Sequence, residues 1–481
     1  MRTRHNRAWD LLVLGGGTAG LVGAQTAAQL GARVALVERH RTGGDCLWTG
    51  CVPSKALLAA AAAAVGPATA LGTTSRGLDV DFDAVMAHVA RAIRTIEPVD
   101  SPEALEQAGV TVLHGTASLT GRSTVDVDGR EQRFKQLLVA TGSSPVVPTV
   151  PGLRESKPLT SETVWDLKKL PVRLVVMGGG SIGCELGQGF ARLGSKVTIV
   201  EAASRLLPGE DPDAAALVHA ALEVDGATVL AGHHVVEVVG EPGGPGEVHL
   251  RNDEARSTVP FDRLLVTVGR RPRTQDLSLG RAHVRLDDDG FVIVDRRLRT
   301  TNPRVWAAGD VTPHPQLTHV AGVHASLAAS NAVLGLRRRV DLSAIPRVTY
   351  TDPEVAAVGA SSWSEDDTRP RTVTRDHGKV DRAVAQGRTD GFSRLVLGPR
   401  HRVIGATVVG PRAGESLAEI TLVVRLGLTT SDLTGTMHPY PTYGDGLWNA
   451  AIADTQARLA SPPVRLLTRA LTIARRWWVR S

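Results

Sequence analysis

The chain has 481 residues, 42% of them apolar and 22% charged, which is ordinary globular usage, enough for about three domains and incompatible with wholesale disorder. Its net charge of +6 is concentrated at the ends, with five Arg and no acid in residues 461–481 and three Arg and no acid in residues 1–7, so no nucleic-acid-binding surface is implied. Uncharged apolar runs fall short of the roughly 20 residues of a membrane span, and the apolar run over 11–14 is too short for a signal-peptide core, so the expected setting is the cytoplasm.

Residues 10–14 read as a strand, followed by Gly15-Gly16-Gly17-Thr18-Ala19-Gly20, a small-residue helix to about residue 30, and a strand over 33–37 ending in Glu38. Strand, glycine turn, helix, strand and acid make a dinucleotide-binding βαβ unit. The glycines bring the backbone to a pyrophosphate at a helix N-terminus, and the acid takes a ribose hydroxyl. Next comes Gly43-Gly44-Asp45-Cys46-Leu47-Trp48-Thr49-Gly50-Cys51-Val52-Pro53-Ser54-Lys55. Cys46 and Cys51 stand five positions apart, with Gly50 relieving the backbone between them, and Cys51 sits just before a helix that Pro53 can open. A helix N-terminus favours a thiolate, so Cys51 is expected to be the more acidic thiol. The pair reads as a redox disulfide; a metal site and two idle core thiols are the competing readings, and no further soft ligands stand nearby.

Short strands near 111–113 and 136–139 follow, the second ending in Ala140-Thr141-Gly142. The βαβ pattern then recurs: a strand over 174–177, Gly178-Gly179-Gly180-Ser181-Ile182-Gly183, a helix to about 193 and a strand over 196–200 ending in Glu201. This second unit closes on a strand over 263–268 ending in Gly269, and a strand over 305–308 leads to Gly309-Asp310. Cys184, the third and last cysteine, lies inside the second glycine-turn helix and reads as a small core residue. Beyond Pro346 no glycine fingerprint appears. Strands over 348–350, 393–397 and 403–409 and helices over 414–426 and 446–459 predict an α+β domain that carries an interface. In the tail, Leu467, Leu471, Ala474 and Trp478 fall on one helical face and Arg465, Arg469, Arg476 and Arg480 on another. Such a basic amphipathic helix suits either a membrane surface or packing on the protein's own dimer.

These motifs, with Ala308-Gly309-Asp310, the segment Leu317-Thr318-His319-Val320-Ala321-Gly322 and the segment Tyr350-Thr351-Asp352-Pro353-Glu354-Val355-Ala356, resemble the flavin-dependent pyridine nucleotide–disulfide oxidoreductases over about residues 10–459. The resemblance implies an α/β fold of two Rossmann-like dinucleotide-binding domains, for FAD and NAD(P), plus a C-terminal α+β dimerisation domain. The expected division is FAD-binding 1–150, NAD(P)-binding 151–276, FAD-binding again 277–345, interface 346–460 and tail 461–481. It further implies a homodimer whose active site is shared between subunits. Gly15, Gly17 and Gly20 would approach the FAD pyrophosphate, Glu38 would hold a ribose, and Gly115, Thr141 and Gly142 would line the cleft. Asp310 would accept a ribityl hydroxyl, and Lys55 and Glu185 would form a charged pair near the flavin. Gly178, Gly180, Gly183 and Gly269 would form the nicotinamide nucleotide site. There Glu201 favours NADH over NADPH by repelling a 2′-phosphate, with Arg205 as a counterweight.

One segment departs from the family. Disulfide-reducing members carry His-Pro-Thr with a Glu three residues on; here the segment reads Met437-His438-Pro439-Tyr440-Pro441-Thr442-Tyr443-Gly444-Asp445. Tyr440 stands at the position of the catalytic His, Asp445 at that of its orienting Glu, and His438 two residues early. Tyrosine is a poor proton shuttle near neutral pH, and Tyr in this place is similar to mercuric reductases and soluble transhydrogenases. No cysteine follows Cys184, so the C-terminal metal-delivering pair of mercuric reductases is not expected. The expected activity is electron transfer from NAD(P)H, through flavin and the Cys46–Cys51 disulfide, to a small electrophile: a metal ion, a quinone or a small disulfide. The rivals are a dihydrolipoyl dehydrogenase using His438, and a non-catalytic redox-sensing flavoprotein recruited to a membrane by its tail.

Overall fold

The computed structural model describes residues 8–65, 80–253, 255–361 and 370–478. These described residues form two compact units, one from those within 8–65, 80–202 and 225–341, the other from those within 203–224 and 342–478.

The first unit holds two parallel sheets built by one pattern. Strand Trp9–Leu14 lies between Val34–Glu38 and Arg130–Val139, all parallel, with Val110–His114 beyond Val34–Glu38 and Val305–Ala307 pairing Arg130–Val139. An antiparallel hairpin, Ala117–Gly121 and Thr124–Val127, extends the far edge. In the second sheet Arg173–Met177 lies between Lys196–Glu201 and Arg263–Val266, again parallel, with Thr228–Ala231 and Leu159–Thr160 outside. The central strands are almost wholly apolar (LLVL and LVVM), as strands covered on both faces must be, and Leu11, Leu12, Val13, Leu174 and Val176 are sealed from solvent. Each glycine turn leads into a helix that crosses to the neighbouring strand, Thr18–Gln29 in the first case and Ser181–Arg192 in the second. A Cβ on Gly20 would lie 1.8 Å from the Gly15 carbonyl oxygen, and one on Gly183 would lie 1.9 Å from that of Gly178. Gly20 and Gly183 therefore allow each helix to pack closely on its own turn.

Residues 44–65 are, by length and composition, apolar enough to cross a membrane. Here they are two helices, Gly44–Trp48 and Cys51–Val65, and the longer buries Pro53, Ala56, Leu57 and Ala61 within the unit.

The second unit is a five-stranded antiparallel sheet, in the order Pro346–Thr349, Glu354–Gly359, Val403–Gly410, Phe392–Leu397 and Arg371–Asp376. Helices Ala413–Leu426 and Asp445–Leu459 join its strands in one core through Leu417, Ile420, Leu447 and Ala450. Helix Pro212–Val224, which sequence order places within 151–276, is held in this unit by charge. Arg394 donates to Asp211 at 2.6 Å and to Asp213 at 2.7 Å, and Arg347 donates to Glu210 at 2.7 Å.

Candidate active site

Cys51 is the first residue of its helix, and Cys46 sits in the short helix before it. The connection is clamped from several sides. Trp165 Nε1 donates to the Thr49 carbonyl at 2.8 Å, Trp48 Nε1 donates to that of Thr42 at 2.7 Å, and Arg41 lies 3.6 Å over the Trp48 ring. Gly44 has φ +58°, and a Cβ there would come within 2.5 Å of Gly17 Cα, so the cysteine segment packs directly on the first glycine turn. Gly50 has no such dihedral; its requirement is closeness to Asp45, whose carbonyl would meet a Cβ at 3.0 Å.

All three cysteines are thiols. The Cys46 thiol is hydrogen-bonded to Cys51, and this bond lowers Cys51 to about 6, against the opposing effect of burial. Thr318 Oγ1, 3.3 Å from Cys51 Sγ, and the Lys55 ammonium lower it further. Thr318 opens helix Thr318–Leu334, so the positive ends of two helices meet at this sulfur. Cys46 is correspondingly raised, first by its bond to Cys51 and then by burial. The expected asymmetry of the pair is present. Cys184 is sealed in the core, donates to the Gly179 carbonyl at 3.3 Å and is raised by burial.

Lys55 lies one turn beyond Cys51 and donates to Glu185 at 2.8 Å, which joins the cysteine helix to the second glycine-turn helix. A polar chain runs on the other side. Asp45 accepts from Thr49 at 2.5 Å and lies 3.5 Å from Arg270; Arg270 donates to Ser143 Oγ at 2.8 Å; Ser143 donates to Asp310 at 2.7 Å. Burial raises the Asp310 carboxyl, and the Ser143 bond and the Arg270 charge oppose that rise.

Glu38 accepts from Gly16 N at 2.6 Å, and Glu201 from Gly179 N at the same 2.6 Å, so each βαβ acid closes on its own glycine turn. Neither glycine-turn helix is capped by a side chain. The space over Gly142, Gly180 and Gly269 is open. Uncapped helix starts, open glycine walls and a half-buried carboxylate fit two bound dinucleotides. Thr141 contributes through its hydroxyl to the Arg273 carbonyl at 2.8 Å, and Gly115, at φ +146°, ends the neighbouring strand.

The remaining predicted residues lie in the second unit. Tyr440 is 70% exposed, and its hydroxyl is held by Asp381, which raises its pKa. Asp445, at the position of the family's orienting Glu, is bonded close to its own place in the chain. It accepts from Thr442 N at 2.9 Å and its other oxygen is buried without a bond. His438 lies 3.0 Å from Glu419 through Nε2 and stacks on Trp448 at 5.4 Å. Asp381 and Glu419 escape sequence reading because distant segments supply them. Arg270 and Thr318 carried a signal, one following Gly269 and the other opening the helix named in the motif.

Residues 9–325 match the pyridine nucleotide-disulphide oxidoreductase family and residues 345–451 match its dimerisation domain. A mercuric reductase of Bacillus cereus is 36% identical over 449 residues, 92% of this chain and 71% of that protein. A dihydrolipoyl dehydrogenase of Chlamydia muridarum is 34% identical over 476 residues, 96% of this chain and all of that one. Among solved structures, the Cu(II) complex of the HOCl-induced flavoprotein disulfide reductase RclA from Escherichia coli superposes with a TM-score of 0.82 at 26% identity, covering 93% of this chain and 99% of that one. Two glycine-turn nucleotide folds, a thiol pair of split acidity beside Lys55, and a match spanning both domains give one conclusion: the chain belongs to the pyridine nucleotide–disulfide oxidoreductases, FAD-dependent homodimeric enzymes that work with a pyridine nucleotide.

Proposed function

We propose that the protein is a cytoplasmic NADH-dependent reductase that delivers electrons through a Cys46–Cys51 disulfide to a small electrophile, first of all a soft metal ion. Bound FAD supplies the two-electron relay between nicotinamide and disulfide. Gly15 and Gly17 would present backbone to its pyrophosphate, Glu38 would hold its ribose, and Asp310, steadied by Ser143 and Arg270, would take a ribityl hydroxyl. Lys55 and Glu185 would hold the charge balance near the nicotinamide.

A hydride equivalent opens the S–S bond to a thiolate on Cys51 and a thiol on Cys46. Passing two electrons to the acceptor closes the bond again and releases the proton. The observation that carries this reading is the Cys51 thiol at about 6, which makes the thiolate the resting form of the reduced site near neutral pH. A soft thiolate is a metal-binding nucleophile, and a metal ion needs no positioned proton donor. Tyr440, exposed and bonded to Asp381, is poorly placed for proton work. The mercuric reductase relatives and the Cu(II) complex of RclA support the same class of acceptor.

NADH is favoured by Glu201 and by Arg205, whose guanidinium is occupied by the carbonyls of Leu207, Pro208 and Glu210. The pair His438–Glu419 favours a second reading, dihydrolipoyl dehydrogenase chemistry with His438 as the base and the site completed across the dimer. An acceptor screen decides between them: Cu(II), Hg(II), a water-soluble quinone and dihydrolipoamide, with wild type, Cys46→Ser, Cys51→Ser and His438→Ala. We expect metal-ion reduction that both cysteine variants lose and His438→Ala keeps. Robust dihydrolipoamide turnover that collapses in His438→Ala overturns the first reading in favour of the second.

A further inference from the structure

The chain continues past the dimerisation domain into helix Pro462–Trp478, no residue of which is buried. Leu466, Leu467, Leu471, Ile473, Trp477 and Trp478 are each between 50% and 76% exposed. At about 100° per residue, these side chains and Ala470 and Ala474 fill one continuous half of the helix. Arg465, Arg469, Arg475, Arg476, Thr468 and Thr472 fill the other half, and Arg475 lies 4.4 Å over the Trp478 ring at the boundary.

We propose that this helix docks the enzyme on an anionic lipid surface, whatever its electron acceptor. Residues 461–481 contain five Arg and no acid, so the polar half complements phosphate headgroups and offers nothing to a basic partner. The apolar half spans far more of the circumference than the narrow seam of a coiled coil, and it ends in two adjacent tryptophans suited to the water–lipid boundary. A helix about 25 Å long, charged along one side, lies in the interface plane and does not span. A homodimer carries two such helices.

The test uses full-length, FAD-loaded protein sedimented with phosphatidylcholine vesicles, with and without phosphatidylglycerol. We expect binding only to the anionic vesicles, weakened at least about tenfold by high salt, by Arg469→Glu with Arg476→Glu, and by Trp477→Ala with Trp478→Ala. NADH oxidation with a soluble acceptor should be the same in all variants, which shows that they fold. Failure to bind anionic vesicles, or binding that the variants and salt leave unchanged, overturns the proposal. So does Leu467→Glu with Leu471→Glu altering the oligomer size in light scattering while leaving vesicle binding intact, since that makes a second copy the occupant.

Discussion

Cys51 collects four influences in one place: the Cys46 thiol, the Thr318 hydroxyl, the Lys55 ammonium and the start of its own helix, all opposing burial. In reduced protein, alkylation of Cys51 should therefore rise with pH through a midpoint of about 6, because the thiolate forms above that value. Thr318→Val removes the hydroxyl whose bond lowers Cys51, so its midpoint should move upward; mass-resolved alkylation profiles of both proteins check this. A midpoint unmoved in Thr318→Val would assign the shift to Cys46 and Lys55 alone. Tyr440 bears on substrate. A positioned acid–base group contributes about 10²–10⁴-fold, so dihydrolipoamide turnover should fall short by that order. Tyr440→His should recover only part of it, because Asp445 is turned to the Thr442 amide. Steady-state rates for the two proteins give the answer.

The glycine turns act as whole elements, and their fault tolerance is low. Gly20→Ala would drive a methyl into the Gly15 carbonyl, and Gly183→Ala would do the same at Gly178. The first should lose FAD, read as flavin absorbance per protein; the second should keep FAD and raise KM for NADH. An unchanged flavin content in Gly20→Ala would mean that the turn can move aside. On the proposed reading the second turn also sets nucleotide choice. With Glu201 closing it, kcat/KM should favour NADH over NADPH, and Glu201→Gln should narrow the ratio by removing the charge that repels a 2′-phosphate. Equal values in wild type would take this role from Glu201.

Across the whole molecule, the chain order of the segments is not their grouping in space. Segment Ala203–Val224 lies between two parts of the first unit yet folds with the second. Arg394 bridges Asp211 and Asp213, and its own side chain is only 16% exposed. Removing one member of a largely buried ion pair strands the other charge, which costs about 3 kcal/mol. Arg394→Met should therefore lower the unfolding free energy by that order while leaving flavin content intact. A neutral effect by chemical denaturation would mean that the helix is held by its apolar face, Ala214, Ala215, Val218 and Leu222, alone.

The sequence by itself determined the two βαβ units and the cysteine pair, because each rests on local rules. A strand of branched apolar residues, a glycine turn and a small-residue helix repeat at fixed offsets, and Cys51 opens a helix that carries Lys55 one turn on. Predicted and observed elements differ by only a residue or so at most of their ends, as with strands Val34–Glu38 and Arg173–Met177. Only the tertiary structure decided what no offset encodes. It brought Thr318 to Cys51 across 267 positions, Ser143 to Asp310 across 167, Asp381 to Tyr440 across 59 and Arg394 to Asp211 across 183. Those contacts depend on how sheets and helices pack, and it is packing that turns a spacing of two cysteines into thiols of unequal acidity.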